Sequence, residues 1–126
     1  MEEGTETPKY GHLTVYSPLP ESETLLYCSA FRKDTDITVD CIHLPAGEMT
    51  ARLEQERDNP QASVLLGGSA DNYIQLREAG LLEAYQSPEL TDVPEAYQDE
   101  QGVWNPIYIG TLCFACNTTQ DRKSVV

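Results

Sequence analysis

Basic residues are scarce in this sequence of 126 residues, which has 8 Lys and Arg against 21 Asp and Glu and a formal net charge of −13. A chain of this charge is repelled by phosphate backbones, so nucleic-acid binding is excluded as an expected function. The acidic residues are spread along the chain and form no block. That distribution favours a role in solubility, with attraction of a cationic ligand or metal as the alternative.

No segment approaches the roughly 20 consecutive apolar residues of a membrane-spanning helix. Residues 1–11 are interpreted as a polar leader without the basic start, apolar run and cleavage site of a signal peptide. Residues 119–126 are interpreted as a tail. Its last six residues are expected to be artefactual, because one back-translation of them reads as a common sequencing adapter. A short natural tail is the alternative.

Motifs for catalysis and nucleotide binding are missing as well. The chain has neither the Gly-x-Gly-x-x-Gly fingerprint nor the lysine of a P-loop. No Ser-His-Asp, Cys-His or paired-carboxylate arrangement is supported by the sequence, and His12 and His43 stand alone. We therefore expect no catalytic residues, no metal-ligating residues and no resident cofactor.

Only four cysteines are present, at positions 28, 41, 113 and 116. The spacing of Cys113 and Cys116 is that of redox and zinc motifs, but it falls late in an apparent strand, where positions i and i+3 point to opposite faces. No second Cys or His pair follows at zinc-like spacing. We expect buried or unreactive thiols there, with a thiol-redox module as the alternative. A disulfide between Cys28 and Cys41 stays open at this point.

What the sequence does contain is a regular alternation of short β-branched runs and helical periodicities. It predicts strands at 13–16, 37–44 and 63–66, with helices that start near Ser17, at Ala46 and after Ser69. This order, β-α-β-α-β-α, predicts an α/β fold with a parallel sheet covered by helices on both faces. Beyond residue 80 we expect loops, a short helix near 92–97, and one or two strands within 104–116.

Three predicted strand ends lead into helix starts, at Ser17, at the turn that contains Gly47 and Glu48, and at Gly67 to Ser69. Ligands bind beyond the carboxyl ends of strands in open α/β sheets, where helix starts offer unpaired N–H groups and partial positive charge. This pattern favours a site for an oxyanion or a metal–anion pair. The alternative is that the serines only cap helices and the glycines only turn the chain.

Five segments, taken in order, resemble the family 1 extracellular solute-binding proteins, in the branch of ferric-iron and phosphonate-type binders. They are Leu13–Glu23, Gly47–Ala62, Gly67–Asp71, Glu78–Glu89 and Tyr108–Thr118. The resemblance implies a two-lobed protein of periplasmic-binding type II, in which ligand binds between the lobes. Residues 12–107 would form lobe 1, and 108–118 would be the first strand that crosses toward a second lobe outside this chain.

Carried over position by position, the resemblance implies ligand-facing roles for Ser17, Gly47, Glu48, Ser69 and Ala70, with Thr111 close to the hinge. The expected function is solute capture for an ABC importer, by a periplasmic or extracellular protein that is free or lipid-anchored and monomeric at full length. Its partners would be the solute and an ABC permease. The expected ligand is ferric iron, a metal–anion complex or a small oxyanion such as a phosphonate.

Several features of the ferric binders are missing from this sequence. The ferric binders often have a histidine directly after the first strand, but Pro18 to Glu21 contains none, and the tyrosines that bind iron in that group would lie outside this chain. Direct iron chelation is therefore unsupported, and Cys113 and Cys116 replace the more usual Gly and Tyr. A sensor or regulatory domain built on the same fold is a further alternative.

Overall fold

The computed structural model describes residues 11–119. The predicted leader except residue 11, and the predicted tail except residue 119, lie outside the described residues. Three strands and three α-helices alternate along the chain, followed by two short 3₁₀ helices. They are β1 (His12–Ser17), α1 (Glu21–Thr35), β2 (Thr38–His43), α2 (Ala46–Gln55), β3 (Val64–Leu65), α3 (Ala70–Glu78) and the 3₁₀ helices Pro88–Asp92 and Glu95–Tyr97.

The strands form one parallel sheet in the order β2-β1-β3, which confirms the predicted fold class. Neighbouring residues of a strand point to opposite faces, and β1 shows which helix covers which face. Tyr16 contacts α2, whereas Val15 shares a face with Cys41, whose sulfur contacts Cys28 of α1. Helix α3 packs against α2. One helix thus covers one face and two helices cover the other.

The centre of the two-helix face is Tyr16, whose side chain is fully buried. Its hydroxyl donates to both carboxylate oxygens of Glu56, at 3.1 and 3.0 Å. Arg52 donates to Glu56 at 2.8 Å, and its guanidinium lies 4.8 Å from the centre of the Tyr16 ring. These contacts join α2 to the central strand, because they satisfy the one polar atom that Tyr16 carries into the core.

Glu56→Gln is expected to make stability less dependent on pH. The hydrogen bond from Arg52, followed by that from Tyr16, holds the pKa of Glu56 below its ordinary value, against the effect of desolvation. A lowered folded-state pKa contributes stability above the unfolded pKa, roughly 4.3, and that contribution is lost as the pH falls through the folded pKa. Urea unfolding should therefore show the variant weakened at neutral pH and equal to the parent in strong acid.

The control for this prediction is Glu54→Gln, an exposed position on the same helix that forms no ion pair among the described residues. It should follow the parent at every pH. A Glu56→Gln variant that loses the same stability in acid as at neutral pH would contradict the assigned role of the carboxylate charge.

Residues 81–119 form no further strand. The prediction of one or two strands within 104–116 is therefore wrong for the described structure, and the short helix near 92–97 is replaced by the 3₁₀ turn Glu95–Tyr97. A strand requires a neighbour with which to exchange hydrogen bonds. Leu112 and Phe114 illustrate its absence here, since 97% and 96% of their surfaces are exposed.

One end of α1 also differs from the expectation. The N-cap is Pro20 and not Ser17, because Ser17 is still part of β1 and its carbonyl accepts from the amide of Leu44 at 3.0 Å. The first turn of α1 is acidic, with Glu21 and Glu23. None of the helices within residues 11–119 is long and apolar enough to cross a membrane.

Candidate functional site

The ends of all three strands lie at one edge of the sheet. Ser17 is in register with His43, and Tyr16 with Leu65, so that the connections to α1, α2 and α3 leave the sheet side by side. In the order β2-β1-β3, the chain passes from the central strand β1 to β2 on one side of it, and then to β3 on the other side. The reversal falls between β1 and β3, and a crevice at such a position is where open α/β sheets bind ligands.

The two connections that flank this reversal are in contact. Gly67 lies against Leu19, and a Cβ atom placed on Gly67 would come 2.5 Å from Leu19 Cγ. Gly68 lies beside Pro18, with a corresponding distance of 3.6 Å. Both glycines have positive φ, 95° and 98°, a conformation that favours glycine. The close approach of the two connections therefore depends on the absence of side chains at Gly67.

One side chain from a helix and one from a strand end fix these connections. Tyr73 of α3 donates from its hydroxyl to the carbonyl of Gly67 at 2.6 Å, and burial raises the pKa of Tyr73 to about 12. Tyr73 is therefore a neutral donor under ordinary conditions. His43 Nδ1 lies 3.0 Å from the carbonyl of Leu19, which makes it the donor in that contact. The sequence analysis singled out neither residue as part of the site.

The hydroxyls of the two predicted serines are already engaged. Ser17 is 1% exposed, exchanges a hydrogen bond with the hydroxyl of Thr24 at 3.0 Å, and accepts from the amide of Leu19. Ser69 is exposed, and its hydroxyl donates to Asn72 Oδ1 at 3.0 Å. Both serines lie at the expected edge. Their hydroxyls stabilise the connections, which makes backbone N–H groups the more available donors there.

Such backbone donors are concentrated at the start of α3. Among the hydrogen bonds formed within residues 11–119, none uses the amides of Gly67, Gly68 or Ala70. Gly68 and Ala70 are exposed. Unused N–H groups at and just before the start of a helix are donors of the kind that can bind an oxyanion.

An open cavity of about 460 Å³ lies at the same edge of the sheet, next to the connection between β1 and α1. Its lining combines apolar surface, one carboxylate and phenol rings, and consists of Leu19, Pro20, Glu23, Tyr27 and Tyr108. Tyr108 also raises the pKa of Tyr73 as a secondary cause, after burial. The residues that follow α3 in the chain therefore return to the edge where the strands end.

The remaining predicted residues are more peripheral. Gly47 and Glu48 are exposed in the first turn of α2, on the β2 side of the edge. Thr111 is exposed in the irregular segment, and no hydrogen bond within residues 11–119 joins it to the other candidates. Across that part of the chain, no group of three or more His, Cys, Asp and Glu side chains is arranged to hold a metal ion.

Cys113 and Cys116 are both exposed, so the expectation of buried or unreactive thiols is wrong as to burial, and their reactivity stays a prediction. The apolar run around them predicted burial, but the segment packs against nothing that would cover it. Neither residue lies at a helix start, the position that stabilises a reactive thiolate.

Taken together, these elements form a small α/β lobe with a parallel three-stranded sheet, which matches part of a lobe of the periplasmic-binding type. Its features are the reversal of strand order, the contact between two connections that depends on Gly67, and the unused amides.

Comparison with known proteins identifies relatives of this lobe, although no model of a protein family matches the chain. An uncharacterised protein of Haemophilus influenzae is 34% identical over 121 residues, which cover 90% of this chain and 34% of that protein. A protein of Sinorhizobium fredii named a probable ABC transporter periplasmic-binding protein is 32% identical over 72% of this chain and 25% of its own length. A periplasmic protein of Salmonella typhimurium, named for 2-aminoethylphosphonate binding, is 36% identical over 71% of this chain and 25% of its own.

Solved structures of periplasmic binding proteins are also similar to this chain. The periplasmic binding protein AfuA from Actinobacillus pleuropneumoniae, with fructose-6-phosphate bound, has a TM-score of 0.68 and 33% identity over 73% of this chain and 29% of that one. Iron-bound HitA from Pseudomonas aeruginosa has a TM-score of 0.66 and 26% identity over 72% of this chain and 30% of that one.

The chain is thus related in sequence and in fold to the periplasmic binding proteins of ABC transporters, which confirms the resemblance seen in the sequence. It spans about a quarter to a third of the length of the curated relatives that it matches. It therefore corresponds to part of such a protein.

Proposed function

We propose that the chain is lobe 1 of a periplasmic solute-binding protein that captures a small solute carrying a phosphoryl or phosphonyl group for an ABC importer. The observation that carries this proposal is the group of unused amides at Gly67, Gly68 and Ala70, at the point where the strand order reverses. A second lobe would close over this edge, and the membrane permease would receive the solute.

The ligand class is favoured by the chemistry of the edge. Amides at the start of α3 suit the oxygens of a phosphoryl group. Glu23 in the neighbouring cavity is an acceptor, and would bind hydroxyl or ammonium groups on the rest of the solute. AfuA with fructose-6-phosphate and the relative named for 2-aminoethylphosphonate are both associated with solutes of this composition.

Charge limits how the anionic group can bind. Each of the three helices carries an acid in its first turn, namely Glu21 and Glu23 in α1, Glu48 in α2 and Asp71 in α3. These carboxylates oppose an anion and partly neutralise the helix dipoles. Capture would therefore depend on direct hydrogen bonds from backbone amides, and long-range attraction would contribute little.

The test is a thermal-shift panel on the complete gene product that contains this chain, with fructose 6-phosphate, 2-aminoethylphosphonate, inorganic phosphate and ferric citrate. A ligand that binds only the folded state raises the unfolding temperature as its concentration exceeds Kd. We expect stabilisation by at least one of the first three. Stabilisation by ferric citrate alone would indicate a ferric complex as the ligand in place of a phosphoryl or phosphonyl solute. A folded protein whose unfolding temperature no ligand changes would contradict the proposed capture.

Ala70→Pro tests the amide donors directly. Ala70 is the first residue of α3, where proline fits the helix, and Ser69 has the extended backbone that proline requires before it. The variant loses one N–H with little effect on folding. Since a hydrogen bond to a charged group contributes about 1.5–3 kcal/mol, affinity measured by calorimetry should fall about ten- to a hundredfold.

Ala46→Pro is the matched control, because Ala46 is the first residue of α2 and the preceding Pro45 is also extended. That helix starts on the β2 side, away from the reversal of strand order. Equal losses from both variants would assign the site to the edge as a whole, and loss from Ala46→Pro alone would move it to α2.

A further inference from the structure

Two thiols meet between α1 and β2. Cys28 is buried on the inner side of α1, and its sulfur lies 2.7 Å from that of Cys41 in the centre of β2. Non-bonded atoms of similar size rest about 3.5–4.0 Å apart, whereas a disulfide bond is about 2.0 Å long. The two sulfurs are therefore held closer than an ordinary contact, on two elements that pack against each other.

We propose that Cys28 and Cys41 form a structural disulfide that joins helix α1 to strand β2. The bond would close a short loop, since the two residues are 13 positions apart and the chain between them consists of the end of α1, a two-residue connection and the start of β2. An exported protein meets the oxidising conditions in which such bonds persist. This proposal is independent of the solute that the protein binds.

Formation of the bond requires a disulfide-bearing oxidant. One cysteine thiolate attacks the oxidant to give a mixed disulfide and releases one thiol, and the second cysteine then displaces the other. The protein loses two electrons and two protons, and the oxidant is reduced to two thiols. Burial raises the pKa of Cys41 to about 12, so its thiolate is scarce near neutrality and equilibration should be allowed to run for hours.

The test uses a Cys113→Ser/Cys116→Ser variant, which removes the two exposed thiols and leaves only the proposed pair. After equilibration with oxidised glutathione, we expect the count of free thiols to fall from two to none and a peptide map to show residues 28 and 41 joined. Reduction should lower the midpoint of thermal unfolding by several degrees.

The thiol–disulfide equilibrium with glutathione shows whether the fold favours the Cys28–Cys41 disulfide, or whether the bond forms only because the two cysteines are close in sequence. In native buffer it should favour the disulfide about tenfold or more beyond its value in concentrated urea, because the fold aligns the sulfurs. Equal values in the two solvents would overturn the proposal, as would two free thiols that survive equilibration or glutathione adducts without an internal bond.

Discussion

Gly67→Ala is expected to destabilise the protein by about 2–6 kcal/mol, as measured by urea unfolding. Two costs add in this variant. A φ of 95° is strained for any residue with a Cβ, at about 1–3 kcal/mol, and the new methyl group would lie 2.5 Å from Leu19 Cγ. Leu19 is buried, so it has little room to move, and overpacking of this kind costs about a further 1–3 kcal/mol.

The consequence for function is displacement of one connection from the other. Leu19 and Gly67 belong to the two connections that flank the reversal of strand order, and Tyr73 holds the carbonyl of Gly67. A methyl group between them moves the proposed amide donors away from the cavity. Solute affinity should therefore fall even under conditions in which the variant remains folded.

Gly47→Ala is the control for this prediction. Gly47 lies at the same edge, within α2, but nothing is within 4 Å of a Cβ added there and its φ is not positive. Alanine should be neutral or stabilise by up to about 1 kcal/mol. The double variant Leu19→Ala/Gly67→Ala should remove the steric cost and keep the backbone cost. Full additivity of the two substitutions would contradict the contact.

Arg77→Met is expected to cost about 3–5 kcal/mol, the usual penalty for removing one partner of a buried ion pair. Arg77 of α3 donates to Asp99, whose side chain is 1% exposed and whose other oxygen accepts from the amide of Val103 at 2.8 Å. Without Arg77, the carboxylate is buried with a single donor. Thermal or urea unfolding measures the loss.

Removing one partner of the Arg77–Asp99 ion pair costs much stability, although the intact pair contributes little net stability. Arg77 Nε is buried and has no acceptor among the described residues, so desolvation offsets part of the attraction. A double variant, Arg77→Met/Asp99→Asn, should therefore recover much of the stability lost by Arg77→Met alone. Arg57→Met is the control, since that exposed arginine only donates to the carbonyl of Ala79 and should cost about 1 kcal/mol. Equal losses from Arg57→Met and Arg77→Met would contradict the assignment.

The order of strands and helices could be predicted from the sequence because it depends on local periodicity. The runs at 13–16, 37–44 and 63–66 are β-branched and apolar, and each precedes a helical pattern, so the predicted strands fall within about one residue of β1, β2 and β3. The shared edge then follows from parallel pairing. The sequence did not predict which side chains this strand pairing brings into contact.

Contacts between distant positions account for most of what the sequence could not supply. Arg77 contacts Asp99, 22 positions later in a stretch without periodicity, and Gly67 contacts Leu19 of the neighbouring connection at the same edge of the sheet. Residues 104–116 gave the opposite error, because an apolar run predicts a strand whether or not a neighbouring strand is there to pair with it. For Tyr73, the tendency of helical side chains to point toward the helix N-terminus was a usable signal.

The binding role of the sheet edge is tested most directly by amide hydrogen exchange of the complete gene product, with and without the solute that gives the largest thermal shift. The proposal predicts slower exchange at Gly67, Gly68 and Ala70 when solute is bound, and unchanged exchange at the opposite edge, near His12 and Thr38. Protection confined to that opposite edge, or none at the start of α3, would contradict it.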